Sequence, residues 1–234
     1  MRLEPPPDAP RSEPELLDRA RALAGRTLGE VARRLHLLVP RDLRCHKGWV
    51  GQALEVALGA RAGSRPVPDF EHLGVELKTL PIGANGRPRE STFVGVIPVD
   101  ELYGMTWETS HCRRKLQRVL WVPVQADPAV ALAERRVGTP LIWSCDWAPD
   151  AATLRADWER HTERIRLGEI DAISARDGAA LQVRPKALSG RERRLVIGED
   201  GWLAPTLPRG FYLRARFTAG LLARHYAPAD PAPP

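Results

Sequence analysis

Leu16, Leu17, Ala20 and Leu23 recur at helical spacing behind Ser12, and Glu15 completes a capping-box pattern with that serine. The repeat stops at Gly25. Thr27 and Glu30 carry the same signature, and Val31 and Leu35 are the apolar positions that follow. "GWVGQALEVALGA" predicts a third helix with Val50, Leu54 and Leu58 on its apolar side. Strands then take over. "GVELKTLPI", "STFVGVIPV" and "RVLWVPVQ" are rich in β-branched residues and bounded by turn formers. Asn85-Gly86, within "GANGRP", predicts a hairpin between the first two, through a loop longer than two residues. Further on, "AVALAERRVG" predicts a helix, "PLIWSC" a strand and "DAATLRADWERHTERIRLGEI" a long amphipathic helix. Asp177-Gly178 marks a turn, "GWLAPTLPRGFYLRARF" reads as strand, and "TAGLLARHYA" closes as a helix capped by Thr218. The pattern as a whole predicts a mixed α/β domain with its sheet in the middle of the chain.

Both ends break this pattern. "EPPPDAP" and "APADPAPP" are too rich in proline for regular hydrogen bonding, which predicts tails over 1–11 and 227–234 around a single domain at 12–226. The 234 residues suffice for one well-packed domain, and 43% hydrophobic with 27% charged residues is ordinary for a soluble protein. No run of about 18 apolar residues exists to span a membrane, and "MRLEPPPDAPRSEPE" has no apolar core of a secretion signal. Cys45, Cys112 and Cys145 are an odd number at unrelated spacings. That argues against a disulfide framework or a zinc site and for a reducing, cytoplasmic compartment. A balance of 35 Lys+Arg against 29 Asp+Glu gives +6, a modest pointer to a polyanionic partner.

The segment "PDFEHLGVELKTLPI" breaks the apolar pattern in a different way. Side chains alternate across a strand, so Val75 and Leu77 point one way while Glu76 and Lys78 point the other. In a half-exposed strand those charges would simply face water. Asp69, behind Pro68, stands where a turn at Gly74 could bring its carboxylate beside Glu76. Two carboxylates and a backbone carbonyl suit Mg²⁺, a hard cation that keeps several waters. A lysine beside them can orient or deprotonate an attacking water and offset the charge of a phosphate. These are the parts for metal-assisted phosphodiester hydrolysis.

Asp69, Glu76 and Lys78 occupy the three places of the D-x(n)-E-x-K core of PD-(D/E)xK nucleases. The similarity runs further, through "KGWVGQALEVALGARAGSRPVPDFEHLGVELKTLPI", "GRPRESTFVGVIP", "TWETSHCRRKLQRVLWVPV", "ERRVGTPLIWS", "VRPKA" and "LPRGFYLRARFTAGLLARH". In this order, from about residue 12 to residue 226, the chain resembles the MutH family of mismatch-repair endonucleases. The resemblance implies a restriction-endonuclease-like fold, with a mixed central sheet flanked by helices and two lobes around a DNA-binding cleft. It implies Mg²⁺-dependent nicking of the unmethylated strand at hemimethylated GATC sites in double-stranded DNA, activation by a MutL-type partner, and a monomer.

On that resemblance Asp69 and Glu76 would hold the metal with the Leu77 carbonyl, Lys78 would serve the attacking water, and Glu55 matches a further active-site carboxylate. Lys47 in "HKGWV" would lie near the scissile bond, or be a solvated loop lysine. Lys115 in "RRKLQR" would approach DNA, or belong to a solvated helix face. Phe93 in "STFVG" is a core aromatic or a DNA contact. Arg184 and Lys186 flank Pro185 in a stiffened recognition loop, and arginine can contact guanine bidentately. Tyr212 in "GFYLR" is a core aromatic or a base-edge contact, and the resemblance favours the second. The Arg-rich stretch "SGRERRLVIGEDGW" is where spacing can depart from relatives.

Two other functions fit part of this pattern. A GATC-specific type II restriction endonuclease shares the catalytic core but cuts both strands, which calls for a two-fold dimer. A catalytically silent DNA-binding module has no use for carboxylates beside phosphate, because their charge weakens binding.

Overall fold

The computed structural model describes residues 7–61, 63, 67–147, 149–186, 193–198 and 200–227. Its helices are α1 (Glu13–Leu23), α2 (Leu28–Arg34), α3 (Trp49–Leu58), α4 (His111–Leu116), α5 (Asp150–Arg166) and α6 (Ala215–Tyr226). Its strands are β1 (Glu76–Ile82), β2 (Thr92–Val96), β3 (Val119–Gln125), β4 (Leu141–Trp143), β5 (Leu181–Pro185), β6 (Arg194–Ile197), β7 (Leu203–Thr206) and β8 (Arg209–Leu213).

The two predicted helix starts differ in detail. At α2 the box is complete: the Thr27 amide donates to Glu30 Oε2 at 2.7 Å and the Glu30 amide to Thr27 Oγ1 at 3.1 Å. At α1 Ser12 Oγ accepts from the Glu15 amide, but the Glu15 carboxylate turns to the Arg11 amide and to Arg19. Residues 7–11, expected to be tail, lie against the helices: Arg19 donates to the Asp8 carbonyl and Pro10 is buried. The remainder of both expected tails, 1–6 and 228–234, lies outside the described residues.

Three local expectations change. Asn85-Gly86 does reverse the chain, with Gly86 at φ 72° and an Ile82–Pro88 bridge, but β1 and β2 do not pair. The predicted helix at 129–138 is a single 3-10 turn, Leu132–Glu134. Its neighbours, Arg136 and Val137, form isolated bridges to Thr27 and Val124 instead. Thr218 does not cap α6. It sits inside the helix, its hydroxyl donating to the Ala215 carbonyl, and Arg214 is the N-cap.

Among the described residues the strands form two three-stranded sheets and a two-stranded ribbon, flanked by helices, in the mixed α/β arrangement expected. β1 pairs in parallel with β3, which pairs antiparallel with β4. β8 lies between β2 and β5, antiparallel to both, and β6 pairs with β7. Long-range pairing of this kind is set by packing partners, not by the turn that follows a strand.

The β1–β3–β4 sheet separates two apolar clusters. Leu77, Leu120, Val122 and Val124 pack on Leu16, Leu28, Leu54 and Leu58 of the first three helices. Leu80, Val119, Trp121 and Trp143 face the second cluster, with Leu154 and Trp158 of α5 and Leu181 and Leu213 of the other sheet. The alternation along β1 therefore buries both faces. No helix among the described residues is long and apolar enough to cross a membrane.

One buried polar contact ties α5 to the second sheet. Asp157, 3% exposed, accepts from the amides of Ala179, Ala180 and Leu181 at 2.6 to 3.0 Å, where β5 begins. Asp157→Ala leaves the Ala180 and Leu181 amides buried without that acceptor, each costing about 1–3 kcal/mol, while the exposed Ala179 amide can turn to water. We expect a loss of about 3 kcal/mol or more, read from chemical denaturation. A change below about 1 kcal/mol would show that water replaces the carboxylate.

Candidate active site

A tight return of the chain brings the first acid to the strand. A 3-10 turn at Glu71–Leu73 ends at Gly74, whose φ of 66° is left-handed and suits glycine. Phe70 and Val75 then bridge, with the Phe70 amide on the Val75 carbonyl at 2.9 Å. The Asp69 carboxylate is thereby set against the strand, where its Oδ2 accepts from the Leu77 amide at 2.8 Å.

Strand alternation puts Glu76 and Lys78 on one face of β1, and there they pair. Glu76 is 4% exposed, and its Oε1 accepts from Lys78 Nζ at 2.6 Å. Its Oε2 accepts from Lys115 Nζ at 2.8 Å, and Lys115 also donates to the Val67 carbonyl. A carboxylate this buried needs such partners, since removing it from water unpaired is costly.

Glu55 reaches the same place from α3. Burial, then the charges of Asp69 and Glu76, hold its carboxyl above the ordinary range. Burial, then the charge of Glu76, raises Asp69 as well, with the Leu77 amide pulling the other way. Three acids thus crowd toward two ammonium groups. Among the described residues, no three His, Cys, Asp or Glu side chains are gathered closely enough to hold a metal ion by themselves.

A cleft of about 700 Å³ opens beside Glu55 and Lys78, whereas Asp69 lines a separate hollow of about 180 Å³. Lys47, Glu55, Leu77 and Lys78 line one side, and Phe93, Arg184, Lys186 and Tyr212 line the other. Glu76 and Lys115 line an adjoining hollow of about 620 Å³, which shares Lys78 and Phe93 with the cleft. Lys47 is exposed at the cleft edge.

The second side of the cleft is one aromatic and cationic group. Phe93 and Tyr212 are register partners on β2 and β8, their rings edge-on with centroids 5.2 Å apart. Arg184 lies 5.4 Å from the Tyr212 ring, and Lys186 Nζ 4.4 Å from the Phe93 ring. Arg184 Nη1 also donates to Ser91 Oγ at 2.6 Å. Two backbone features aim Phe93. The β2–β8 register shifts between Phe93 and Gly95, and a Cβ on Gly210 would meet the Phe93 ring at 2.8 Å.

Of the sequence-predicted residues, Asp69, Leu77, Glu76, Lys78, Glu55 and Lys115 are therefore brought together. Phe93, Arg184, Lys186 and Tyr212 form the facing group, and Lys47 stands at the edge. Lys115, expected toward DNA, donates to Glu76. Sequence reasoning missed that pairing, and it missed Ser91 as the partner of Arg184. Neither carries a local signal, because each contact joins segments 39 or 93 residues apart.

Comparison with known proteins gives the family. A family model described as DNA mismatch repair enzyme MutH matches residues 58–157. The chain is 51% identical over 224 residues to a Serratia proteamaculans (strain 568) protein named DNA mismatch repair protein MutH, covering 96% of this chain and 98% of that one. It is 52% identical over 219 residues to the protein of that name from Vibrio cholerae serotype O1, covering 94% and 99%. Against that from Vibrio parahaemolyticus serotype O3:K6 it is 53% identical over 217 residues, covering 93% and 96%. With a buried Glu-Lys pair at the cleft, an aspartate clasped beside it and similarity along nearly its whole length, the chain belongs to the MutH family of DNA mismatch repair enzymes.

Proposed function

We infer that this mismatch repair endonuclease hydrolyses one phosphodiester bond on the unmethylated strand of a hemimethylated GATC site, with Mg²⁺ as cofactor and a MutL-type protein as activator. The observation that carries the reading is Glu76, buried between Lys78 and Lys115 next to a cleft with exposed cations on its far side. Binding alone has no use for that group. Two further acids beside that pair, both held above their ordinary ionisation range by burial and mutual charge, are the kind of crowding that functional sites concentrate.

The donors fit a divalent cation chemically. Asp69, Glu76 and the Leu77 carbonyl offer hard oxygens, and their mutual repulsion is relieved when a cation binds. Mg²⁺ completes its shell with water, so a cage of three acids is not required. The bound ion would polarise the scissile phosphate and offset its charge. Lys78 Nζ as the ammonium would orient the attacking water, or, once its own proton has passed to solvent, would take up the proton of that water, and Lys115 would hold Glu76 in place. Glu55 accepts hydrogen bonds from water at the α3 side. Across the cleft, Arg184, Lys186, Phe93 and Tyr212 bind and read the bases, and Lys47 contacts backbone near the cut. Each chain carries one Asp69–Glu76–Lys78 set, so a monomer acting in the cytoplasm would cut one strand per encounter.

The test is single-turnover cleavage of hemimethylated, unmethylated and fully methylated GATC duplexes with Mg²⁺. Nicks confined to unmethylated strands, with nicked circles preceding linear plasmid, are expected. Concerted cutting of both strands would point to the restriction-type enzyme, and full activity in EDTA would remove the metal from the reaction.

Metal binding also has a pH signature independent of turnover. Glu55 and Asp69 hold protons more tightly when folded than when unfolded. Their contribution to stability therefore declines as pH rises from the ordinary carboxylate range through the raised folded values. Mg²⁺ competes with those protons. Its thermal stabilisation should be small at acidic pH, larger at neutral pH, and absent in Asp69→Asn, as read by melting curves. Equal stabilisation at both pH values would place the ion elsewhere.

A further inference from the structure

The fifteen residues from Arg33 to Lys47 hold Arg33, Arg34, Arg41, Arg44 and Lys47 against a single acid, Asp42, for +4 of the chain's +6. All five cations are exposed. Arg44 is engaged, since its Nη2 lies 2.8 Å from Asp42 Oδ2. Arg33, Arg34 and Arg41 have no carboxylate partner among the described residues.

This segment adjoins the cleft. Leu43, Lys47 and Gly48 line the cleft wall, and Lys47 and Gly48 also line a second groove, of about 600 Å³, with Val39, Pro40 and His46. The groove therefore opens off the cleft at Lys47. His36, with a φ of 55°, follows the end of α2, and its neighbour Leu37 donates its amide to the Ala32 carbonyl at 2.9 Å. That turn leaves Arg33 and Arg34 exposed on the last turn of α2, at the start of the basic stretch.

We propose that this segment is a second phosphate-binding surface, which takes the backbone of the duplex flanking the site in the cleft through Arg33, Arg34 and Arg41. The proposal rests on the reading of the cleft as a DNA site. Three unpaired guanidiniums on one exposed segment release counterions when they meet phosphates, and this gain needs no base sequence. Helix-dipole stabilisation accounts for Arg33 and Arg34 at the end of α2, but not for Arg41 beyond it. It also predicts no dependence on the length of DNA.

The experiment compares the wild-type chain with the triple variant Arg33→Ala, Arg34→Ala, Arg41→Ala, and with the same three positions changed to Lys. Binding is measured against salt in Ca²⁺ on a GATC duplex of about one helical turn and on one of about three turns. On the long duplex, the Ala variant should bind more weakly and lose about 2 to 3 from the slope of log K against log salt. On the short duplex it should match wild type in affinity and nicking, and the Lys variant should keep the wild-type slope on both. An unchanged slope on the long duplex overturns the proposal, as does an equal loss on both lengths. A lowered melting point in both variants with no slope change would assign the arginines to the fold. Nicking of the short duplex by wild type tests the cleft itself, so failure there is distinguishable from failure of the flank surface.

Discussion

Lys78→Ala is expected to lower single-turnover nicking by about 10²–10⁴-fold, the range of a positioned general acid–base group. DNA affinity should stay within a few-fold, because one ammonium among many phosphate contacts is a small share of the electrostatic total. The structure sharpens this expectation. Lys78 is one of two lysines on Glu76, so its removal leaves the buried carboxylate with Lys115 at 2.8 Å. The fold should therefore survive, and a melting curve near that of wild type is the control. Turnover at the wild-type rate would move the proton transfer to another group. If affinity fell as steeply as rate, Lys78 would be a binding residue.

The second large effect is expected across the cleft. Lys186→Ala should lower cleavage of all GATC substrates by about 1–3 kcal/mol, the usual cost of one lost base contact. Tyr212→Ala should instead change the ratio among hemimethylated, unmethylated and fully methylated substrates. N6-methylation adds apolar bulk beside a major-groove donor, and a ring edge senses bulk more than hydrogen-bond pattern. Tyr212 stacks edge-on to Phe93 and lies under Arg184, so Tyr212→Phe is the informative companion. It keeps those ring contacts and removes only the hydroxyl. Single-turnover rates on the three methylation states decide between the roles. An equal loss on all three would make Tyr212 a general contact and move strand choice elsewhere.

Much of this site is legible in the amino-acid sequence because its core is local. Asp69, Glu76, Leu77 and Lys78 lie within ten consecutive positions, where a glycine turn and strand alternation are enough to place them together. The helix starts at Ser12 and Thr27 are legible for the same reason, since a cap is a contact across three residues. Period and composition likewise determine the existence of the longer helices, but they mislead at 129–138. There "AVALAERRVG" has helical residues, but Arg136 and Val137 find better partners in Thr27 and Val124.

Contacts between distant segments are not legible. Asn85-Gly86 is a strong turn signal, yet β1 pairs with β3 and β2 with β8, because β1 must bury apolar side chains on both of its faces. The same separation hides Lys115 on Glu76 and Ser91 on Arg184. By itself, the sequence determined the local chemistry: an acid, a glycine turn, and a glutamate and lysine on one strand face. Only the tertiary structure decided which cations satisfy the buried glutamate and which sheet carries the facing aromatic and cationic group. The reason is that strand partners are chosen by burial and packing over the whole chain, which no local window contains.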